Sequence, residues 1–243
     1  MKMTADKSFI VIVASILVLS AFLPTSDAEA LEQVYAAFEK DGKPTMMYRP
    51  KSTPRFRQKY DVTVGILPVQ DRRVMNFYWH KDDLFEESIP QGFNDILYTE
   101  LRSSQLFRKV KRLSSPLPES PDKTALQAYK EKHGVDMVIS ADLVTFNMLR
   151  EKEGDMTRGV STGAVVAAPT RVMIDVSMFA QLIHLESGTL IWADLVERRG
   201  QAFALMGVLA PEEVGSLTRQ TLSFVFGDLK MLLSAGGKIM VKR

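Results

Sequence analysis

The sequence predicts an α/β protein: a mixed β-sheet with helices packed on it, in the order β-α-β-α-β-β-β-α. Three patterns carry this expectation. A short apolar run, Val62, Val64, Ile66 and Val69, leads into a stretch with apolar residues at helical steps. A second strand–helix pair repeats that logic. Two long segments then alternate apolar and polar residues across a tight turn, and a final helical stripe closes the chain.

The first strand begins at Tyr60 and is closed by Pro68 and Asp71. A polar, aromatic-rich loop follows. Ser88 starts the first helix, and its spacing to Gln91 is that of a capping box, in which each side chain satisfies a backbone N–H at the helix start. Ile89, Phe93, Ile96, Leu97 and Leu101 form its buried stripe. A strand from Val110 to Leu113 comes next. Asp122 caps a second helix with apolar Leu126 and Tyr129, and Gly134 ends it after Lys132 and His133. The third strand runs from Val135 to Phe146. Arg171–Leu185 places Val172, Ile174, Val176, Met178, Ala180 and Leu182 on one face, and Thr189–Glu197 repeats the alternation after a turn at 184–188. The last helix opens with Pro211, Glu212 and Glu213, suited to its positive end, and its stripe runs from Val214 through Leu222, Phe226 and Leu229 to Leu233.

Ahead of this domain, Lys2 and Lys7 precede an uncharged apolar run of 15 residues, Phe9–Leu23, then Pro24 and the small-x-small pattern Ala28-Glu29-Ala30. That order describes a secretory signal peptide, removed to leave a chain starting near Leu31. A permanent spanning helix needs roughly 20 apolar residues. With no cysteine, the chain has no disulfide, no thiolate and no site for a lipoprotein's lipid. Residues 1–30 hold two of the 31 basic and three of the 29 acidic residues, leaving 29 and 26 and a balance of +3. So even a balance predicts no nucleic-acid partner. The expected organisation is a signal peptide at 1–30, a basic, proline-containing lead-in at 31–59 outside the core, and an α/β domain at 60–243 with a long connection at 147–170. Between Asp41 and Asp61 lie six basic residues and no acidic one. A solvated linker accounts for such a run, and a peripheral membrane contact through residues 43–59 is the functional alternative.

No catalytic, metal-binding or cofactor-binding constellation is expected. His80, His133 and His184 lack a partner ligand at a useful spacing. Gly236-Gly237-Lys238 lies after the last helix, where a phosphate loop would precede one. Asp82-Asp83 and Glu86-Glu87 are adjacent carboxylates in a loop, explained by solvation. Two segments stand out instead. Phe77, Tyr78 and Trp79 are consecutive aromatics in a loop that also carries Arg72 and Arg73, the composition of interface anchors, so these five are the candidate partner-binding residues. The alternative is that the rings fold back over the sheet edge. In the 147–170 connection, Gly159–Pro169 is small, apolar and uncharged but follows a charged arm, Arg150–Asp155. That arm cannot supply the apolar outward face of a membrane-inserted hairpin, so a flap or subunit contact is expected.

Val64-Gly-Ile-Leu-Pro-Val-Gln-Asp71, Leu97–Val110, Val135–Asp142 and Leu185–Trp192 together resemble a group of bacterial envelope proteins. The group comprises the curli secretion-channel subunit, penicillin-binding-protein activator lipoproteins and auxiliary lipoproteins of lipid-transporting ABC systems. The resemblance covers roughly residues 60–235, and the Tyr78-Trp79 segment looks most like the ABC auxiliary branch. It implies a non-enzymatic periplasmic protein of Gram-negative bacteria, often assembled as a ring and held at the outer membrane by lipid. The expected function is therefore an accessory in envelope assembly or transport, contacting envelope or transport-complex proteins and forming a homo-oligomer. A subunit of an outer-membrane secretion channel is the alternative, and a periplasmic enzyme is disfavoured. This sequence departs from the group in lacking the lipid-bearing cysteine.

Overall fold

The computed structural model describes residues 42–50, 60–73, 84–118, 121–152, 170–204 and 209–236. The elements are β1 (Tyr60–Ile66), β2 (Gln70–Asp71), α1 (Ile89–Ser104), β3 (Phe107–Arg112), α2 (Lys123–His133), β4 (Met137–Lys152), β5 (Thr170–His184), β6 (Thr189–Ala204) and α3 (Pro211–Gly236). This is the expected order with one addition, the two-residue β2. The sheet runs β3-β1-β4-β5-β6, with β2 continuing the line of β1 beside β4. β1 pairs in parallel with β3 and β4, whereas β4–β5 and β5–β6 are antiparallel, so the sheet is mixed as predicted.

One face of the sheet carries the main core. The predicted alternation of β5 holds: Val172, Ile174, Val176, Met178, Ala180 and Leu182 are all buried. Against them pack α1 through Phe93, Ile96 and Leu97, and α3 through Leu222, Phe226 and Leu229. Four rings tie the layers together. Phe85 and Phe93 meet Phe146 of β4 edge-on, at 5.9 and 5.8 Å between centroids, and Phe93 meets Phe226 of α3 at 6.0 Å. On the opposite face, among the described residues, Leu126 and Tyr129 of α2 close a smaller cluster with Val138 and Leu185 at the start of β4.

Local chemistry fixes the element ends. Asp122 accepts from the Ala125 N–H at 2.7 Å, and Gly134 at φ 58° donates to the Lys130 carbonyl, as the spacing predicted. Gly188, at φ 68°, makes the β5–β6 turn. Ser88 is the N-cap of α1, but the predicted capping box does not form: the side chain makes no cap bond. Pro90 sits in the first turn and has no N–H, which removes one of the donors a cap would serve.

Residues 42–50 depart from the expectation of a lead-in outside the core. Met46 is fully buried and lies over Gly92 of α1, where an added Cβ would fall 2.1 Å from its methyl carbon. Pro44 seats in the same way on Gly215 of α3, 2.6 Å from where a Cβ would be. Glu87 accepts from the Met46 N–H at 3.1 Å and from the Thr45 hydroxyl, while Arg219 donates to the Thr45 carbonyl at 3.0 Å. The two glycines thus leave a shallow track across α1 and α3, and Glu87 and Arg219 fasten the strap into it. Lys43 and Arg49 remain exposed on either side.

Candidate partner-binding surface

The β4–β5–β6 half of the sheet extends beyond the reach of α2. Its second face presents opposed side chains in rungs, Thr145–Ser177–Glu197 and then Asn147–Asp175–Arg199. Arg199 holds Asp175 in a two-point fork, with Nη2 2.8 Å from Oδ2. Thr145, Ser177, Glu197, Asp175 and Arg199 line an open recess of about 360 Å³ together with Val176 and Arg198. Next to this polar strip the surface is apolar: Leu195 and Phe203 of β6 are exposed, and Arg171 lies over the Phe203 ring at 5.7 Å. A polar strip flanked by exposed apolar side chains is the composition of a contact surface.

β2 brings the base of the aromatic loop to the same half. Gln70 and Asp71 pair with Asp142 and Leu143 of β4, and the Arg72 N–H extends the ladder to the Leu143 carbonyl at 2.9 Å. Of the five sequence-predicted residues, Arg72 is exposed. Arg73 is not: its Nε and Nη2 donate to Asp71 at 2.8 and 2.6 Å, which holds the Asp71 carboxyl below its ordinary range. Arg73 therefore anchors the loop base, whereas Arg72 is presented outward. Phe77, Tyr78 and Trp79 lie outside the described residues, as does most of the 147–170 connection. The charged arm of that connection begins inside β4, which runs on through Arg150 and Glu151 to Lys152.

A second group of charges was not found by sequence reasoning. Lys230 of α3 and Glu100 of α1 form an ion pair at 2.5 Å, with side chains only 2% and 4% exposed. Tyr48 of the strap donates to the other Glu100 oxygen at 2.7 Å. Its phenol is pushed far up, first by burial, then by the Glu100 charge and by their hydrogen bond. A catalytic carboxylate must be reachable by substrate, and these groups are sealed between α1, α3 and the strap. Their role is to hold those three elements in register. Among the described residues no three His, Asp or Glu side chains group as metal ligands, and no helix is long and apolar enough to cross a membrane.

No family model and no curated protein sequence matches the chain. Solved structures do resemble it. A neuraminyllactose-binding hemagglutinin homolog from Helicobacter pylori is 14% identical, with 81% of this chain and 94% of that one aligned at a TM-score of 0.50. Protein XCC0632 from Xanthomonas campestris, of the DUF330 family, is 12% identical over 81% and 96% of the two chains, with a TM-score of 0.49. The PelC dodecamer from Paraburkholderia phytofirmans is 14% identical over 71% and 93%, with a TM-score of 0.35. At these identities, the first likeness shows a shared fold, and a fold by itself hosts many activities.

Proposed function

We propose that this chain is an exported, non-enzymatic accessory protein of the bacterial cell envelope, acting in assembly or transport through contacts with envelope proteins and with copies of itself. The observation that carries the reading is the half of the sheet that no described helix covers on its second face, where the exposed Arg72 at the base of the aromatic loop stands beside β4. A sheet face left open by the described helices, with the Phe203 ring and arginines on it, is suited to docking a protein and poorly suited to enclosing a substrate. The shared fold with a hemagglutinin homolog, a protein named for binding, supports this class of function. The signal-like N-terminus places the chain in the periplasm, processed near Leu31, and the absence of cysteine leaves it without a lipid of its own. Contact with membrane then comes from a partner, from an assembled ring or from the basic residues between 43 and 59.

A secretion-channel subunit is the second reading, favoured by the long β4–β5 hairpin, whose strands span 16 and 15 residues. The charged end of β4 weighs against it.

Replacing Tyr78 and Trp79 together with Ala tests the leading reading. Removing two aromatic anchors is expected to weaken partner capture by at least about tenfold, in line with hot-spot losses of roughly 2 kcal/mol or more. Thermal stability should stay within about 0.5 kcal/mol of the parent, as for ordinary surface changes. Unchanged capture would count against the loop as the contact, and lost solubility would show that the rings belong to the core.

A further inference from the structure

The two edges of the sheet are protected very differently. β3, at one edge, is six residues long and carries Arg108, Lys109, Lys111 and Arg112, the short and charged design that discourages strand addition. β6, at the other, spans 16 residues, and its outer edge has no partner strand among the described residues. Leu190, Leu195 and Phe203 are 47%, 45% and 56% exposed along it. Glu197, at its middle, is exposed and has no ion-pair partner among the described residues. An edge of this length with exposed apolar side chains is a template for another strand.

We propose that β6 pairs antiparallel with β6 of a second copy, about a two-fold axis at Arg198, joining two sheets into one. The proposal deepens the homo-oligomeric part of the function above and rests on it. The register follows from symmetry and charge. A two-fold axis normal to a sheet sets opposed residues on the same face, so it must pass through a residue position. With the axis at Arg198, Glu197 of each copy faces Arg199 of the other, giving two cross-strand ion pairs on one face. Arg199 already forks onto Asp175, and a guanidinium with five donors can hold a second carboxylate. Arg198 meets its own copy at the axis, but each is neutralised by Asp228 of α3.

Neighbouring registers fare worse. An axis at Glu197 or Arg199 sets like charge against like. An axis at Val196 opposes Arg198 to Asp194 but leaves Glu197 against Leu195, an unpaired charge on an apolar side chain. In the Arg198 register, Leu195 faces Gln201, Ala193 faces Phe203, and Phe203 lies diagonal to Leu195, covering two of the exposed apolar side chains. The seam runs from Trp192 to Ala204, the part of β6 that this axis maps onto itself.

The natural chain has no cysteine, so single cysteines report the register cleanly. Leu195→Cys and Gln201→Cys are both made in the full chain. Either alone places its thiols six residues apart across the axis, roughly 20 Å at 3.4 Å per residue, beyond the ~7 Å limit for a disulfide. Mixed and oxidised, the two should give a disulfide-linked heterodimer on a non-reducing gel. Arg198→Cys should crosslink by itself. Glu197→Arg should raise the dimer dissociation constant by on the order of tenfold, since it sets like charges opposite each other twice. An oligomer in light scattering that forms neither crosslink overturns this seam and leaves the functional reading standing. A strict monomer overturns both.

Discussion

Replacing Lys230 with Ala is expected to destabilise the protein by about 3–5 kcal/mol, because the Glu100 carboxylate is then left buried without its countercharge. For a chain of this length that corresponds to a fall in Tm on the order of 10 °C. Replacing both partners with apolar residues, Lys230→Met with Glu100→Leu, should recover most of the loss, because no buried charge then remains. Thermal unfolding of Lys230→Met, of Glu100→Leu and of the double variant measures this cycle, with Lys230→Ala beside them. A loss under about 1 kcal/mol for Lys230→Ala would mean that water reaches the pair. The strap gives the same cluster an alkaline signature. The Tyr48 phenol is held above its ordinary value of 10.0, so its share of stability is present below pH 10 and is lost as pH rises further. Tyr60 and Tyr129 are shifted upward too. Tyr48→Phe should therefore make the alkaline loss shallower without abolishing it.

Phe93→Ala is expected to cost about 3–5 kcal/mol, the usual range for deleting a fully buried ring. Phe93 is the joint of the ring ladder, meeting Phe146 of β4 on one side and Phe226 of α3 on the other. Its loss leaves a void where α1, the sheet and α3 converge. Phe224→Ala is the matched control: this ring is exposed on α3, and its removal should stay within about 0.5 kcal/mol. Chemical denaturation of both variants checks the contrast, and equal losses would contradict the placement of the two rings.

The stripe that carries Phe93 was readable because several apolar residues recur at helical steps, and the β5 alternation was readable for the same reason at period two. Met46 was not. A single apolar knob among prolines and cations has no periodicity, and what marks its seat is Gly92, more than 40 residues away in sequence. Lys230 was missed because a lysine beside an apolar stripe ordinarily reaches solvent, whereas here it turns inward to the facing Glu100. β6 continues past Glu197 through Arg198, Arg199 and Gly200, where the sequence pattern lapses, because pairing with β5 sustains the strand without burial. β2 needs β4 beside it to exist at all. On the candidate surface, sequence composition pointed to Arg72 and Arg73 alike. The structure separates them, since Asp71 two residues earlier captures Arg73 alone.

The central claim, that this chain works by assembling with copies of itself and with envelope proteins, is tested most directly by light scattering on the chain from Leu31 onward after size-exclusion chromatography. A discrete multiple of the single-chain mass is the predicted result. A strict monomer across the concentration range, with no association with liposomes, would contradict it.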